Sequence, residues 1–313
     1  MKMELMLQFL LLVVGFVMLM KGADWFVDGA AKIADLFGIP QLVIGLTIAA
    51  IGTSLPEAAV SITAALQGST EITIGNVLGS NILNILIILG LTAVVCPIPV
   101  QKSTVRYEIP FTIGVTVLLV ALGSLDGNIS RLDGGILWIF MAVYLVYLLK
   151  IAKDSNQEAQ TQEEKKEPVW KLLLLVAVGI ALIKYGSDVT VHAATAIARQ
   201  FHMSERLIGL TIVAFGTSLP ELVTSVTAAT KGKTDIAIGN IVGSNIFNIL
   251  FVVGTTAIIT PVEYSRNFLA DSRVAIAAAV LLLVCVLRNH RLGRLGGVVM
   301  LVGYAAYFAY LIR

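Results

Sequence analysis

Charge is scarce in this chain. Only 13% of its 313 residues are Asp, Glu, Lys or Arg, against 57% hydrophobic, whereas a soluble domain carries about 25% charged residues. Water is therefore not its main solvent. Cysteine is nearly absent: Cys96 and Cys285 both lie in apolar runs, which excludes a disulfide framework and a thiolate metal centre. The three histidines, His192, His202 and His290, are scattered, and this argues against a His-based catalytic centre. A net charge of +2 without a basic tract leaves no footprint for nucleic acid.

What the chain has is apolar length. Runs long enough to cross a bilayer recur from end to end. Lys2 followed by the apolar stretch 5–20 has the outline of a signal peptide, but no small-x-small cleavage site follows. A counterpart occurs near 170–185, so the stretch is read as a retained first helix.

The second feature is repetition. Gly52-Thr53-Ser54-Leu55-Pro56-Glu57 recurs as Gly216-Thr217-Ser218-Leu219-Pro220-Glu221. Gly75-Asn76, Gly79-Ser80-Asn81-Ile82 and Asn84 recur as Gly239-Asn240, Gly243-Ser244-Asn245-Ile246 and Asn248, at the same offset of 164 residues. Asp24 and Asp188 share that offset, and residues 44–91 match 208–255 at 30 of 48 ungapped positions. The halves are duplicates. Each carries five apolar spans, placed at 5–27, 41–66, 72–95, 109–125 and 134–150, then 170–190, 207–230, 236–259, 270–287 and 295–312. The expected fold is an all-α membrane protein of ten transmembrane helices: a first repeat at 1–152, a polar linker at 153–169 and a second repeat at 170–313.

An odd number of spans separates equivalent helices, so the repeats cross the membrane in opposite senses, as in many secondary transporters. Loop lysines and arginines set the orientation. With the N-terminus outside, thirteen fall on inner segments and seven on outer ones. The expectation is a multi-pass protein of the plasma (cell inner) membrane with a cytoplasmic linker.

Glu57 and Glu221 stand inside apolar spans, where ionisable groups are costly and usually functional. Each follows a proline, Pro56 or Pro220, which lacks an N–H and crowds the carbonyl four residues back. The turns Ala50 to Thr53 and Ala214 to Thr217 are therefore expected to kink or unwind, and carbonyls freed at membrane depth persist where they line a cavity or bind something. Thr53 and Ser54 share a helical face with Glu57. Asn76, Ser80 and Asn84 form a polar stripe one span later, repeated by Asn240, Ser244 and Asn248. Carboxylates, amides, hydroxyls and carbonyls are oxygen donors, the set that hard cations such as Ca2+ prefer; the missing Cys and His argue against zinc or copper. Two ionised glutamates resist passage through an apolar barrier until cations neutralise them, and exchange follows if only loaded forms cross.

The duplicated GTSLPE and GN-x-x-GSN-x-x-N blocks resemble the α-repeats of the calcium/cation antiporter superfamily, in particular its prokaryotic sodium/calcium exchanger branch. The resemblance covers the whole chain. It implies a secondary-active antiporter, not an enzyme, that moves Ca2+ against Na+ without a bound cofactor and functions as a monomer. By position, Glu57 and Glu221 would bind Ca2+ with the carbonyls of Thr53 and Thr217. Na+ would share those glutamates and use the Ala50 and Ala214 carbonyls, Ser54, Ser218, Ser80 and Ser244, with Asn84 and Asn248 completing the group. It also implies sliding of the first and sixth helices against the rest. Some members carry Asp where this chain has Asn248, which leaves sodium stoichiometry and proton or potassium coupling open as alternatives. A cation channel is a third reading, and an intramembrane hydrolase lacks a base beside Ser54 or Ser218.

Overall fold

A computed structural model describes residues 2–156, 168–203 and 214–311. Most of the linker 153–169, the start of the seventh span at 207–213, and Arg206 lie outside the described residues. The chain is nearly all helix, and its helices are α1 Lys2–Phe37, α2 Gln41–Thr53, α3 Leu55–Leu66, α4 Glu71–Val95, α5 Thr104–Asp126, α6 Arg131–Asn156, α7 Val169–Gln200, α8 Ala214–Thr217, α9 Leu219–Thr230, α10 Thr234–Ile259, α11 Phe268–Leu287 and α12 Arg294–Leu311. Among the described residues eight helices are long and apolar enough to cross a membrane, and α2 with α3 meets the same test only as a pair, bent by 47°, with the shape of a broken span or a re-entrant loop. This is a multi-pass membrane protein.

Helices α1 and α7 run about ten residues beyond their expected ends. Asp24, Asp28, Lys32 and Asp35 interrupt the apolar run but do not break a helix. Termination waits for Gly38, whose φ of 60° turns the chain so that the Ile39 N–H reaches Ala34 O at 2.9 Å. In α7 the duplicate position is His202, which adopts a φ of 58° despite its side chain, and the Met203 N–H reaches Ala198 O at 3.1 Å.

These two helices pack along each other through glycines at heptad spacing. A Cβ on Gly22 would stand 2.8 Å from Ile183 N, and one on Gly186 would stand 2.8 Å from Leu19 N, so only glycine permits this approach. On its other side α1 exposes Met6, Leu10, Val13, Val17 and Met20.

The centre of the molecule is α4 and α10, with 78% and 94% of their spans buried against 11% for α12. Both contain a π-helical turn at duplicate positions, Asn84–Leu89 and Asn248–Val253. A third occupies Gly45–Ala49 in α2, and such turns recur at functional sites. The break after α2 falls at Ser54, one residue beyond the turn expected to unwind: Ala50–Thr53 stays helical because the Ser54 N–H still reaches Ala50 O at 3.1 Å. Ser54 and Ser218 hold nearly the same conformation, φ −87° and −95° with ψ 6°.

Four two-residue strands qualify the all-α expectation. β1 Ile98–Pro99 pairs with β4 Arg291–Leu292, and β2 Asn128–Ile129 with β3 Val262–Glu263, both antiparallel. Each pair joins loops from opposite halves, where short connections lie side by side and satisfy their backbone groups mutually.

Candidate functional site

The proline-containing helices α3 and α9 aim Glu57 and Glu221 at the core, each only 1% exposed. Among the described residues no cluster of three His, Cys, Asp or Glu forms, so other groups surround the two carboxylates. Ser54 Oγ donates to Glu221 Oε1 at 3.0 Å, which ties the first half to the second half's acid. Its duplicate Ser218 is buried beside Glu57. The Thr53 hydroxyl lies 3.1 Å from both Ala49 O and Asn240 Oδ1.

Each glutamate helix is pinned to the asparagine helix of its own half. Asn76 Nδ2 donates to Glu57 O at 3.1 Å and to Ser61 Oγ at 2.9 Å. Asn240 Nδ2 repeats this with Glu221 O at 3.5 Å and Ser225 Oγ at 3.0 Å. The stripe was visible in the sequence, but Ser61 and Ser225 were not singled out there. Their equal offset was the available signal.

Across the midline the amides form a closed network. Asn81 Nδ2 donates to Asn245 O and Asn245 Nδ2 to Asn81 O, both at 3.2 Å. Their amide oxygens can then only accept: Asn245 Oδ1 takes Asn84 Nδ2 at 3.0 Å, and Asn81 Oδ1 takes Asn248 Nδ2 at 3.1 Å. With their nitrogens turned toward those acceptors, Asn84 and Asn248 direct their own amide oxygens the other way. This fixes the amide orientation by the logic of the network.

Among the carboxylate and amide oxygens of this site, four are accordingly buried with no donor among the described residues: Glu57 Oε2, Glu221 Oε2, Asn84 Oδ1 and Asn248 Oδ1. A buried acceptor left unpaired is costly. Here the four come from both halves, all are oxygen, and the glutamates bring two formal negative charges. That donor set matches a hard cation.

The other expected residues stand nearby. Ser80 Oγ accepts from Asn248 Nδ2 at 3.2 Å and lies 3.2 Å from Val77 O. Ser244 Oγ reaches Ala50 O at 3.4 Å, so that carbonyl is shared between Ser54 and Ser244 in this conformation. Thr217 is half-buried, and Ala214 is described by its helical backbone alone. A small crevice of about 10 Å3, lined by Phe26, Gly52, Thr53, Pro56, Ile183 and Lys184, lies between the α1–α7 pair and the end of α2.

The family described as sodium/calcium exchanger protein matches residues 7–150 and 171–313. The inner membrane protein YrbG of Escherichia coli (strain K12) is 38% identical over 318 residues, covering 96% of this chain and 95% of that protein. The sodium/calcium exchanger MaX1 of Methanosarcina acetivorans is 30% identical over 346 residues, covering 97% of this chain and 98% of that one. A solved structure of the sodium-calcium exchanger NCX_Mj, soaked with Na+ and Sr2+, is similar with a TM-score of 0.84 and 33% identity, over 97% of this chain and 98% of that chain.

Proposed function

Because this chain belongs to the sodium/calcium exchanger protein family, we propose that it is a secondary-active antiporter moving Ca2+ against Na+ at one site shared by Glu57 and Glu221. The observation that carries this reading is the set of four buried, donor-less oxygens drawn from both halves. Two carboxylates balance one Ca2+, and Asn84 and Asn248 add neutral ligands that complete a shell without adding charge.

Exchange follows from electrostatics. With two bare carboxylates the site cannot cross the apolar barrier, because moving unpaired charge into low dielectric is prohibitive. Either one Ca2+ or several Na+ lifts that barrier, so each crossing carries cargo. Na+ uses the same glutamates and draws on Ser54, Ser218, Ser80, Ser244 and the carbonyls of Ala50 and Ala214. The carbonyls of Thr53 and Thr217 serve Ca2+. The Ala50 carbonyl, now shared with Ser244 Oγ at 3.4 Å, is a contact that sodium binding would exchange.

The architecture proposed with it is ten spans in two inverted repeats, 1–152 and 170–313, joined by the linker 153–169 and working as a monomer. The strand pairing supports inversion. β1 precedes α5 while β4 follows α11, and β1 pairs with β4. The duplicates α5 and α11 thus begin and end, respectively, at the same side of the molecule. Lys102, Arg106, Arg288, Arg291 and Arg294 gather at that end, which supports a cytoplasmic assignment for it and an outside N-terminus. Helices α1 and α7, joined to each other through glycine, form the body that moves as access alternates.

The test is calcium uptake into proteoliposomes loaded with Na+ and diluted into Na+-free buffer. Uptake that depends on the sodium gradient, and is lost in Glu57→Gln and Glu221→Gln, is expected. Uptake driven by a pH or K+ gradient and indifferent to sodium would sink the coupling, and undiminished uptake in either variant would sink the site.

A further inference from the structure

Away from the central site, a cleft of about 350 Å3 opens between α5 and α6, lined by Arg106, Tyr107, Glu108, Phe111, Tyr144 and Tyr147. Glu108 is a carboxylate inside an apolar span, only 1% exposed. Its Oε1 accepts from the Tyr147 hydroxyl; its Oε2 is buried with no hydrogen bond in place among the described residues, and the neighbouring Thr104 hydroxyl, one turn earlier, is buried and unbonded as well. The duplicated fold does not demand an acid here. The equivalent position in the second half is Ser272, whose hydroxyl is satisfied by the Tyr264 hydroxyl at 2.6 Å. Arg106, Tyr107 and Phe111 likewise become Ala270, Asp271 and Ala275, so the cleft belongs to one half alone.

Its walls are aromatic. Phe111 stacks on Tyr144 with centroids 5.6 Å apart, and Tyr107 meets Tyr147 at 6.4 Å. The Arg106 guanidinium lies over the Tyr107 ring at 5.6 Å. Among the described residues neither Arg106 nor Glu108 has an ionic partner within 4 Å. Tyr107 and Val143 are half-exposed at the mouth, 51% and 59%, on the outer surface of two membrane spans.

A carboxylate oxygen in need of a donor, rings that favour a cation, and a guanidinium suited to phosphate therefore line one outward-opening cleft. We propose that it binds the headgroup of an aminophospholipid of the phosphatidylethanolamine class. The primary ammonium donates to Glu108 Oε2, the phosphate meets Arg106, and the acyl chains leave past Val143 into the bilayer. A quaternary choline headgroup has no N–H to give Glu108, and a glycerol headgroup has no cation. Tyr144, one wall of the cleft, has its hydroxyl 3.4 Å from Leu46 O in the π-helical turn of α2, so the occupant sits one side chain from the span that breaks at Ser54.

Native mass spectrometry of the full chain in detergent, titrated with phosphatidylethanolamine, phosphatidylcholine or phosphatidylglycerol, tests this. The wild type should retain phosphatidylethanolamine about tenfold better than the other two, as expected for a hydrogen bond to a charged group. Glu108→Gln should erase that preference. Arg106→Ala should weaken phosphatidylethanolamine and phosphatidylcholine alike while keeping their order. Val143→Trp, which fills the mouth from the surface and leaves Glu108 intact, should reduce retention of all three. Equal retention of the three lipids by the wild type, a preference that survives Glu108→Gln, or undiminished retention in Val143→Trp would overturn the proposal.

Discussion

Asn81 and Asn245 hold each other across the midline, each side-chain amide donating to the other's backbone carbonyl at 3.2 Å. Neither is an expected ion ligand, yet together they dictate how Asn84 and Asn248 are turned. Asn245→Ala should therefore leave Asn84 free to rotate and raise the KM for Ca2+ about tenfold or more, with a smaller effect on maximal rate. Asn81→Ala should match it through Asn248. Each change removes only its own side-chain amide, because the carbonyl that amide reaches is backbone and alanine keeps it. The double variant frees both Asn84 and Asn248 and should cost more than either change alone. Calcium titration of uptake in the three variants measures this, and an inert Asn245→Ala or Asn81→Ala would show that Asn84 and Asn248 are oriented by other groups.

Calcium should stabilise the protein. A ligand that binds only the folded state at a concentration one hundred times its Kd adds about 2.7 kcal/mol. A calcium-dependent rise in apparent Tm is expected for the wild type and should vanish in Glu57→Gln and in Glu221→Gln. If either variant keeps the shift, calcium binds elsewhere.

Ser54 offers a finer probe, since its hydroxyl holds Glu221 Oε1 at 3.0 Å. A hydrogen bond to a charged group contributes about 1.5–3 kcal/mol, so Ser54→Ala should weaken ion affinity by roughly tenfold or more. Ser54→Thr, which keeps the hydroxyl, should recover much of it. Competition between Na+ and Ca2+ in uptake assays reads both, and an inert Ser54→Ala would show that Glu221 is held by other means.

Much of this was legible because duplication prints itself twice. Glu57 and Glu221 stand out as acids in apolar helices, and the repeated hexapeptide marks the break that the chain makes at Ser54 and Ser218. The π-helical turns at Asn84 and Asn248 left no trace, since one extra residue in a helical turn needs no special side chain. Partnerships across the halves were equally silent. The bond between Asn84 and Asn245 joins residues far apart in the chain, and nothing local in either segment records the other. The expected ends of α1 and α7 fall too early because scattered polar residues do not stop a helix; the backbone turns only at Gly38 and His202.

Close packing of α1 on α7 should tolerate no side chain. Gly22→Leu and Gly186→Leu should each cost about 1–3 kcal/mol from overpacking and sharply reduce transport. Gly135→Ala is the control, because a Cβ there meets nothing within 4 Å. Thermal melts in detergent and uptake rates check both. Wild-type behaviour in Gly22→Leu would mean that the two helices are not in contact during the cycle.

Lys231, in the turn after α9, pairs with Asp24 at 3.2 Å and Asp28 at 2.9 Å on α1. The duplicate positions are Gln67, Asp188 and His192, and the neutral Gln67 cannot form the same ionic tie in the other half. The carboxylates are 41% and 49% exposed, which limits the tie to about 0–1 kcal/mol. Lys231→Gln should modestly increase the labelling of an engineered cysteine at that end, and high salt should produce the same change in the wild type. Unchanged labelling would show that the tie does not bias opening.

The two miniature sheets carry a consequence for how the chain is made. As the first half leaves the ribosome, β1 and β2 have no partners, for β4 and β3 are still unsynthesised. A nascent chain must therefore wait, with loops undocked, until nearly all of it has entered the bilayer. Long-range closures of this kind are slow, and truncated products should be recognised by quality-control proteases through those same unpaired edges.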